Sequence, residues 1–439
     1  MVYALINAQI YDYHTYLENG YVVFDKKIIE VGSMKNYRNI DYNEINCKGK
    51  IIIPSFVSGH THLYSAFARG MSFDFNPKDF VEILKQLWWK LDYFLDKDLI
   101  YYSAIMGALE QLSMGTTTLI DHHASQKVDG SLDLIKKALN DSVGMRGILA
   151  FETSDRFNVS DAVKENVNFI KNNRTSIISG LFGLHASLSL SDESLRQVSD
   201  NLNDEGIHIH VAESIMDEDD CLDKYKIRVV ERLEKFNLLN EKSLLVHCTH
   251  INEKEMDIIK KYNATIAVNV TSNLNNAVGI SQIKKFLDKG IRVISGNDGL
   301  IPSQAIEYLN IFYLSHLKEN SPIGFSLDDL KTIILNTYDY ANMILKTNLG
   351  RLDVASEADL MVVDFNPYTL VDKSNIFGHL FYGVFPSLKP EMVVAKGNIL
   401  IKDYNFVNDN KELYEKALNK ANELWKKIKE EGNNIEFKY

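Results

Sequence analysis

Cysteine is scarce in this chain. Cys47, Cys221 and Cys248 are the only three in 439 residues, odd in number and far apart. That usage excludes the disulfide framework of a small secreted domain and points to a reducing, cytoplasmic setting. The seven prolines form no Pro-rich linker, and no low-complexity tract or short-period repeat divides the chain. No apolar run approaches the roughly 18 residues of a membrane span, so a membrane is not an expected partner. The opening "MVYALINAQIYDY" lacks a basic region and a cleavage site, and reads as a strand rather than a signal peptide. Nor is there a lysine- or arginine-rich block. With a formal net charge of -11, nucleic acid is not an expected partner either.

What remains has the composition of a soluble globular protein, 45% hydrophobic and 24% charged, long enough for a large barrel and a smaller domain. Short runs rich in Val, Ile and Leu recur at 51–57, 116–121, 145–152, 177–183, 207–212, 243–248, 264–269 and 291–296. Their near-continuous apolar character is that of parallel strands covered on both faces. Amphipathic segments lie between them. "SDESLRQVSDNLNDEG" opens on Ser191 or Asp192 as N-cap and closes at Gly206; "NEKEMDIIKKY" and "SQIKKFLDKG" follow the same logic. Eight strands alternating with helices over about 250 residues predict an α/β fold, a (β/α)8 TIM barrel over 51–349.

The flanks differ. Residues 1–50 and 350–405 read as short antiparallel strands with polar turns, as in "NGYVVFDKKIIEVG" and "EMVVAKGNILIKDY". Two β-rich flanks enclosing a barrel predict one small β-sandwich built from both termini. Residues 406–439 read as a helical segment packed on the outside, with Leu413, Leu418, Leu424 and Trp425 among its apolar positions.

The chemistry gathers at strand ends. "IIIPSFVSGHTH" closes the first run with His60 and His62, two apart and therefore on one face. "LFGLHAS" places His185 after the fourth run, "IHIHVAES" places His210 and then Glu213 after the fifth, "LLVHCTH" places His247 and His250 after the sixth, and "VISGNDG" places Asp298 after the eighth. This is the end at which such barrels carry their sites. A first-row divalent metal takes two or three neutral imidazoles and a carboxylate, with one position left for water. His60, His62, His210 and Asp298 supply that set. His208 shares the strand parity of His210 but sits one pleat deeper, and is expected in the barrel lumen.

These residues resemble the amidohydrolase superfamily. The likeness spans nearly the whole chain: the strand-one HxH, "HVAE", "VHCTH", "GNDG", and also "GALEQLSMGTTTLIDHH" and "EADLMVVD". Within it the chain is similar to the guanine, cytosine, adenosine-type and triazine deaminases and chlorohydrolases, and "HTHLYSAFARGM", "DHHAS" and "FETSDR" look closest to the SsnA-type aminohydrolases. Two departures touch no ligand: Pro54-Ser55 replaces the family's usual PG, and Asn297 replaces threonine before Asp298. The strand-four lysine of the binuclear members has no counterpart; that region offers His185, which implies a single metal, zinc or iron, with zinc the first choice.

The resemblance implies a metal-dependent aminohydrolase that exchanges an exocyclic amino group of a purine-, pyrimidine- or pterin-like ring for oxygen, with water as co-substrate and ammonia released. Asp298 would accept the water's proton, Glu213 would protonate the ring nitrogen, and His247, preferred over His250 by the family pattern, would orient the water or polarise the tetrahedral oxygen. His185 corresponds to the family's substrate-contacting histidine. Arg69, His122, His123 and Arg156 lie on loops at the same end and are candidate substrate contacts, Arg69 for a carbonyl, carboxylate or phosphate. Trp88 and Trp89 read as packing first and pocket wall or dimer surface second. A chlorohydrolase or cyclic amidohydrolase would share the metal set, and a non-catalytic barrel would have lost it. The other zinc deaminase architecture needs a PCxxC absent here. A homodimer is compatible with the sequence, which carries no motif for one.

Overall fold

A computed structural model describes residues 1–71, 74–435 and 437. The chain opens with β1 (Tyr3–Tyr11), β2 (Tyr16–Phe24), β3 (Ile28–Ser33), β4 (Asn43–Asn46) and β5 (Lys50–Pro54). Then come β6 (Phe56–Thr61), β7 (Thr116–His123), β8 (Arg146–Phe151), β9 (Ile178–Gly180), β10 (Phe182–Ala186), β11 (Ile207–Val211), β12 (Leu244–His247), β13 (Thr265–Val268) and β14 (Arg292–Ser295). It closes with β15 (Leu360–Asp364), β16 (Met392–Ala395), β17 (Asn398–Lys402) and β18 (Asn405–Phe406).

Among the described residues, β1–β5 and β15–β18 form one nine-stranded sheet in the order β18-β17-β16-β15-β5-β1-β2-β3, with β4 beside β1. Both flanks therefore meet in one sheet, through the antiparallel pairing of β15 with β5. The predicted strand 51–57 needs correction. Ile51–Pro54 belongs to this flank sheet, where β1 pairs in parallel with β4 and β5 rather than antiparallel as expected, and the first strand of the all-parallel sheets begins at Phe56. The switch happens within one residue: Ser55 N donates to Asp359 O at 3.2 Å, and Phe56 N to Gly115 O at 2.8 Å. Both segments are buried on both faces, so nothing in the apolar pattern marks the change of sheet.

The parallel strands form a four-stranded sheet, β6-β7-β8-β9, and a five-stranded one, β10-β11-β12-β13-β14. The predicted fourth strand is thus two, divided at Leu181. Isolated bridges link the sheets at both sides, Thr61 to Asp298 and Thr153 to Leu184. Glycine permits both approaches: a Cβ on Gly296 would stand 2.7 Å from His60 Cβ, and one on Gly183 only 2.2 Å from Phe151 O.

Helices cover the parallel sheets as the capping signals predict. Ser191 accepts from Ser194 N ahead of Asp192–Ser199, which stops short of Gly206, and Asn252 with Glu255 forms a capping box for Glu253–Lys261. One apolar core runs through both parallel sheets, and a second cluster with Leu5, Val22, Ile52, Leu360 and Val394 backs the flank sheet. Buried Arg146, at the start of β8, ties the two by bonds to Glu357 (2.8 Å) and Asp359 (3.1 Å). The terminal helix Lys411–Glu431 buries Ala417, Leu424 and Ile428, and Trp425 Nε1 donates to Phe67 O at 2.6 Å. Leu418 departs from expectation and stays exposed. Glu436, Lys438 and Tyr439 of the predicted 406–439 segment lie outside the described residues. The three cysteines are buried and unpaired, and no described helix is long and apolar enough to cross a membrane.

Candidate metal centre and active-site cavity

The chain at or just past the ends of β11, β12 and β14 has a constrained backbone. Ala212 (φ 45°), His247 (φ 68°), Cys248 (φ 50°) and Asp298 (φ 54°) all adopt left-handed conformations at these ends. Such strain in non-glycine residues persists only where the surroundings over-determine it, and it gathers at functional sites. Asp298 is held by the β6 edge: its N–H and that of Asn297 donate to His60 O at 3.1 and 2.9 Å. Below it, Asn297 donates to Gln111 (3.0 Å), Gln111 to Thr61 (2.9 Å), and Thr61 to the Asp298 carbonyl (3.0 Å). The asparagine that departs from the family pattern is therefore part of the support beneath the carboxylate.

The four residues expected around a metal converge. Asp298 Oδ1 lies 3.5 Å from His60 Nε2 and 3.2 Å from His62 Nε2, and His62 Nε2 lies 3.2 Å from His210 Nε2. Their tautomers are set from behind. His62 Nδ1 donates to the His122 carbonyl at 2.6 Å and His210 Nδ1 to the His185 carbonyl at 2.9 Å, which leaves both Nε2 lone pairs pointing at one spot. His60 Nδ1 lies 2.8 Å from His208 Nε2, so His208, the rival ligand, instead orients His60. His60 Nε2 and His247 Nε2 are buried without a hydrogen-bond partner. Unpaired buried nitrogens are costly; a cation would satisfy that of His60, and a polar group of a bound molecule that of His247. The donor set, three imidazoles and a carboxylate, suits a zinc-like divalent metal.

Burial keeps two of the three rings from taking up a proton. It lowers His60 to about 4 and holds His210 well below its ordinary value. In His62, burial is outweighed by the Asp298 carboxylate, and the pKa is raised. Burial works against ionisation of Asp298, but His60 and His62 hold its carboxyl well below the usual range.

Beside this cluster, His247 Nε2 stands 3.4 Å from Glu213 Oε2 and 3.9 Å from Asp298 Oδ2. Its Nδ1 donates to Asn273 Oδ1 at 2.7 Å. Burial raises the pKa of Glu213, whose Oε1 accepts from Asn276 Nδ2 at 3.1 Å. His250 points elsewhere: its Nε2 donates to Val278 O at 2.6 Å. The geometry brings His247, and not His250, to the cluster.

A cavity opens over these groups, with His62, His210, Glu213 and Asp298 at one end and Asp92, Glu152, Arg156 and Trp89 on the opposing wall. His185 stands between the ends, its ring 5.7 Å from His210 and 6.3 Å from Trp89. Its Nδ1 faces Ser189 Oγ at 2.6 Å, and burial lowers its pKa to about 4. Trp88 and Trp89 take both the packing and the pocket-wall role: Trp89 is buried in an apolar cluster against which Trp88 packs, and both line the cavity.

The other candidate substrate contacts are placed differently. Arg156 lines the cavity, but its guanidinium is held by Asp92 and Glu152. Arg69 pairs with Glu110 and lines a recess that adjoins the cavity, sharing His62, Asp298, Gly299 and Leu300 with it. His122 and His123 are fully buried: His122 Nε2 donates to Leu184 O at 2.9 Å, and His123 Nε2 lies 3.0 Å from Ser125 Oγ. Neither lines the cavity, though the His122 ring is close enough to His62 and His210 to share a cation with them. Asp92, Glu152, Asn273 and Asn276 were not foreseen. Glu152 ends "ILAFE" just as Glu213 follows "IHIHVA", so its position at a strand end was the available signal; Asp92, in the last turn of a helix that ends at Tyr93, had none.

Comparison with known proteins agrees with this geometry. Residues 51–400 match the Amidohydrolase family. The chain is 28% identical over 414 residues to a 5'-deoxyadenosine deaminase of Methanococcus vannielii, covering 89% of this chain and 94% of that one. It is 26% identical over 389 residues to a 5-methylthioadenosine/S-adenosylhomocysteine deaminase of Thermococcus sibiricus, covering 83% and 89%. Among solved structures it is similar to an adenosine deaminase from Xanthomonas campestris with bound zinc (TM-score 0.84, 18% identity, 96% and 98% covered). It is also similar to an atrazine chlorohydrolase from Arthrobacter aurescens complexed with zinc (TM-score 0.80, 19% identity, 96% and 99% covered). These likenesses carry the fold, α/β of the TIM-barrel type. With strand-end histidines, supporting carbonyls and most of its length accounted for in one family, this chain belongs to the amidohydrolases.

Proposed function

We propose that this protein is a mononuclear metal-dependent aminohydrolase that replaces an exocyclic amino group of a nitrogen heterocycle by oxygen and releases ammonia. The observation that carries the reading is the convergence of His60, His62, His210 and Asp298, with Glu213 and His247 beside them and a cavity lined by aromatic side chains above. The deaminases named among its relatives place purine nucleosides first among the substrates to try. We propose that the two parallel sheets close through their bridges into one (β/α)8 barrel, and that the flank sheet folds as a small sandwich. The domains are then 1–50 with 350–405, 51–349 and 406–439, with β5 counted in the flank sheet. The free buried cysteines support a cytoplasmic setting.

Zinc, held by His60, His62, His210 and Asp298, would supply a water activated near neutral pH. The residues do the rest. Asp298, ionised and 3.9 Å from His247, accepts the water's proton. Glu213, whose pKa burial raises, gives a proton to the ring nitrogen. It takes up the second proton of the added water as the carbonyl forms and passes it to the departing amine; the proton held by Asp298 then returns to Glu213. His247, fixed by Asn273, polarises the oxygen that develops charge. His185, its Nδ1 committed to Ser189, offers Nε2 as an acceptor to the ring. The test is ammonia release by zinc-loaded protein across purine, pyrimidine and pterin amines, with 5'-deoxyadenosine first. Turnover that a chelator abolishes and zinc restores is expected. Chloride release from a chlorinated triazine without ammonia release from any amine would contradict the reading.

A further inference from the structure

The wall facing the metal end contains an unusual charge arrangement. Arg156 Nη2 lies 2.9 Å from Asp92 Oδ2 and 2.6 Å from Glu152 Oε1, and Nη1 lies 3.3 Å from Asp92 Oδ1. All three side chains are 2–4% exposed. The guanidinium is pinned further between aromatic rings, 4.8 Å from the Trp89 centroid and 4.7 Å from that of Phe157. One cation is thus shared by two carboxylates, and the group as a whole keeps one formal negative charge. No second lysine or arginine lines the cavity, which holds five carboxyl side chains and this single guanidinium; the metal's charge would be met at the other end by Asp298. The hydrogen bonds to Glu152, from Arg156 and Ser154, both fall on Oε1, leaving Oε2 uncommitted.

Resting on the deaminase reading, we infer that Asp92, Arg156 and Glu152 select substrates whose non-reacting side is uncharged and donates hydrogen bonds, and that they reject phosphate or carboxylate at that position. An arginine at the mouth of such a cavity suggests an anion site from sequence alone. Here the guanidinium is already neutralised, and Glu152 Oε2 can only accept. An incoming anion would be brought, without its water, beside a net negative group at an effective dielectric far below that of water. A hydroxyl or N–H finds an acceptor instead.

Binding can be measured on zinc-loaded Asp298→Asn protein, in which turnover is suppressed, by calorimetry with 5'-deoxyadenosine, adenosine and adenosine 5'-monophosphate. The expected result is that the monophosphate binds about 100-fold or more weakly than the two neutral ligands. In a Glu152→Gln background and, separately, in an Asp92→Asn background measured at about pH 8.5, where Asp92 is ionised, that ratio should shrink at least about tenfold, since each change removes one negative charge. A merely structural role would weaken all three ligands alike and leave the ratio unmoved. Equal or tighter binding of the monophosphate, an unmoved ratio in both variants, or no binding of any of the three would overturn the inference. Ammonia release from 5'-deoxyadenosine by the wild type is scored separately. Charge-selective binding without ammonia release would refute the deaminase reading and leave this one standing.

Discussion

At one end of the cavity, the polar side chains stand at or just past the tips of parallel strands, and backbone carbonyls, a deeper ring or a buried amide fix their orientation. At the other, Asp92 from a helix and Glu152 and Arg156 from one loop hold one another, with stacked aromatic rings completing the clasp. The first arrangement leaves lone pairs unmet and pointed at a shared point, so its free energy is realised on binding. The second pairs its cation with two carboxylates inside the fold, so most of its contribution is to the folded state, and only Glu152 Oε2 is left to meet a ligand. The two ends should therefore respond to substitution in opposite ways.

The largest contrast is Asp298→Asn, which should lower kcat by about 10³-fold or more while shifting Tm by no more than about 4 °C. Zinc content must be measured alongside, and near-normal turnover would break the comparison. On the wall, Arg156→Ala leaves two buried carboxylates without their cation. It should cost about 3–5 kcal/mol in denaturant unfolding, softened where Asp92, pushed up to about 7 by burial, takes up a proton. Back at the metal end, Glu213→Gln should reduce kcat by about 100-fold with zinc retained, because the amide cannot pass a proton.

How far each end was legible in the sequence follows from the same contrast. His60, His62, His210, His247, Glu213 and Asp298 could be read because each follows a β-branched run, and the strand period places them on one face. Arg156 was visible for the same reason, but its partner Asp92 is 64 residues away inside "LWWKLDYF", and only the fold discloses that its charge is spent. The partner of Arg69 was hidden on similar grounds, since Glu110 lies on a later helix. The first-strand boundary was hidden because Ile51–Ile53 and Phe56–Ser58 are equally buried in different sheets. His122 and His123 sit at a strand end, yet their rings are taken up by Leu184 O and Ser125.

Two smaller effects sharpen the division within the sixth strand's histidines. Asn273→Ala removes the acceptor of His247 Nδ1 and should lower kcat about tenfold with KM little changed. His250→Ala loses only the bond to Val278 O. It should cost about 1 kcal/mol of stability and leave kcat/KM within about twofold. A kcat loss for His250→Ala rivalling that of His247→Ala would reverse their assignment.

The most direct measurement is a crystal structure of zinc-loaded protein with the ion located by anomalous scattering at the zinc edge. One ion should lie about 2.0–2.2 Å from Nε2 of His60, His62 and His210 and from a carboxylate oxygen of Asp298. An ion bound elsewhere, or a ligand set lacking His210 or Asp298, would contradict the account.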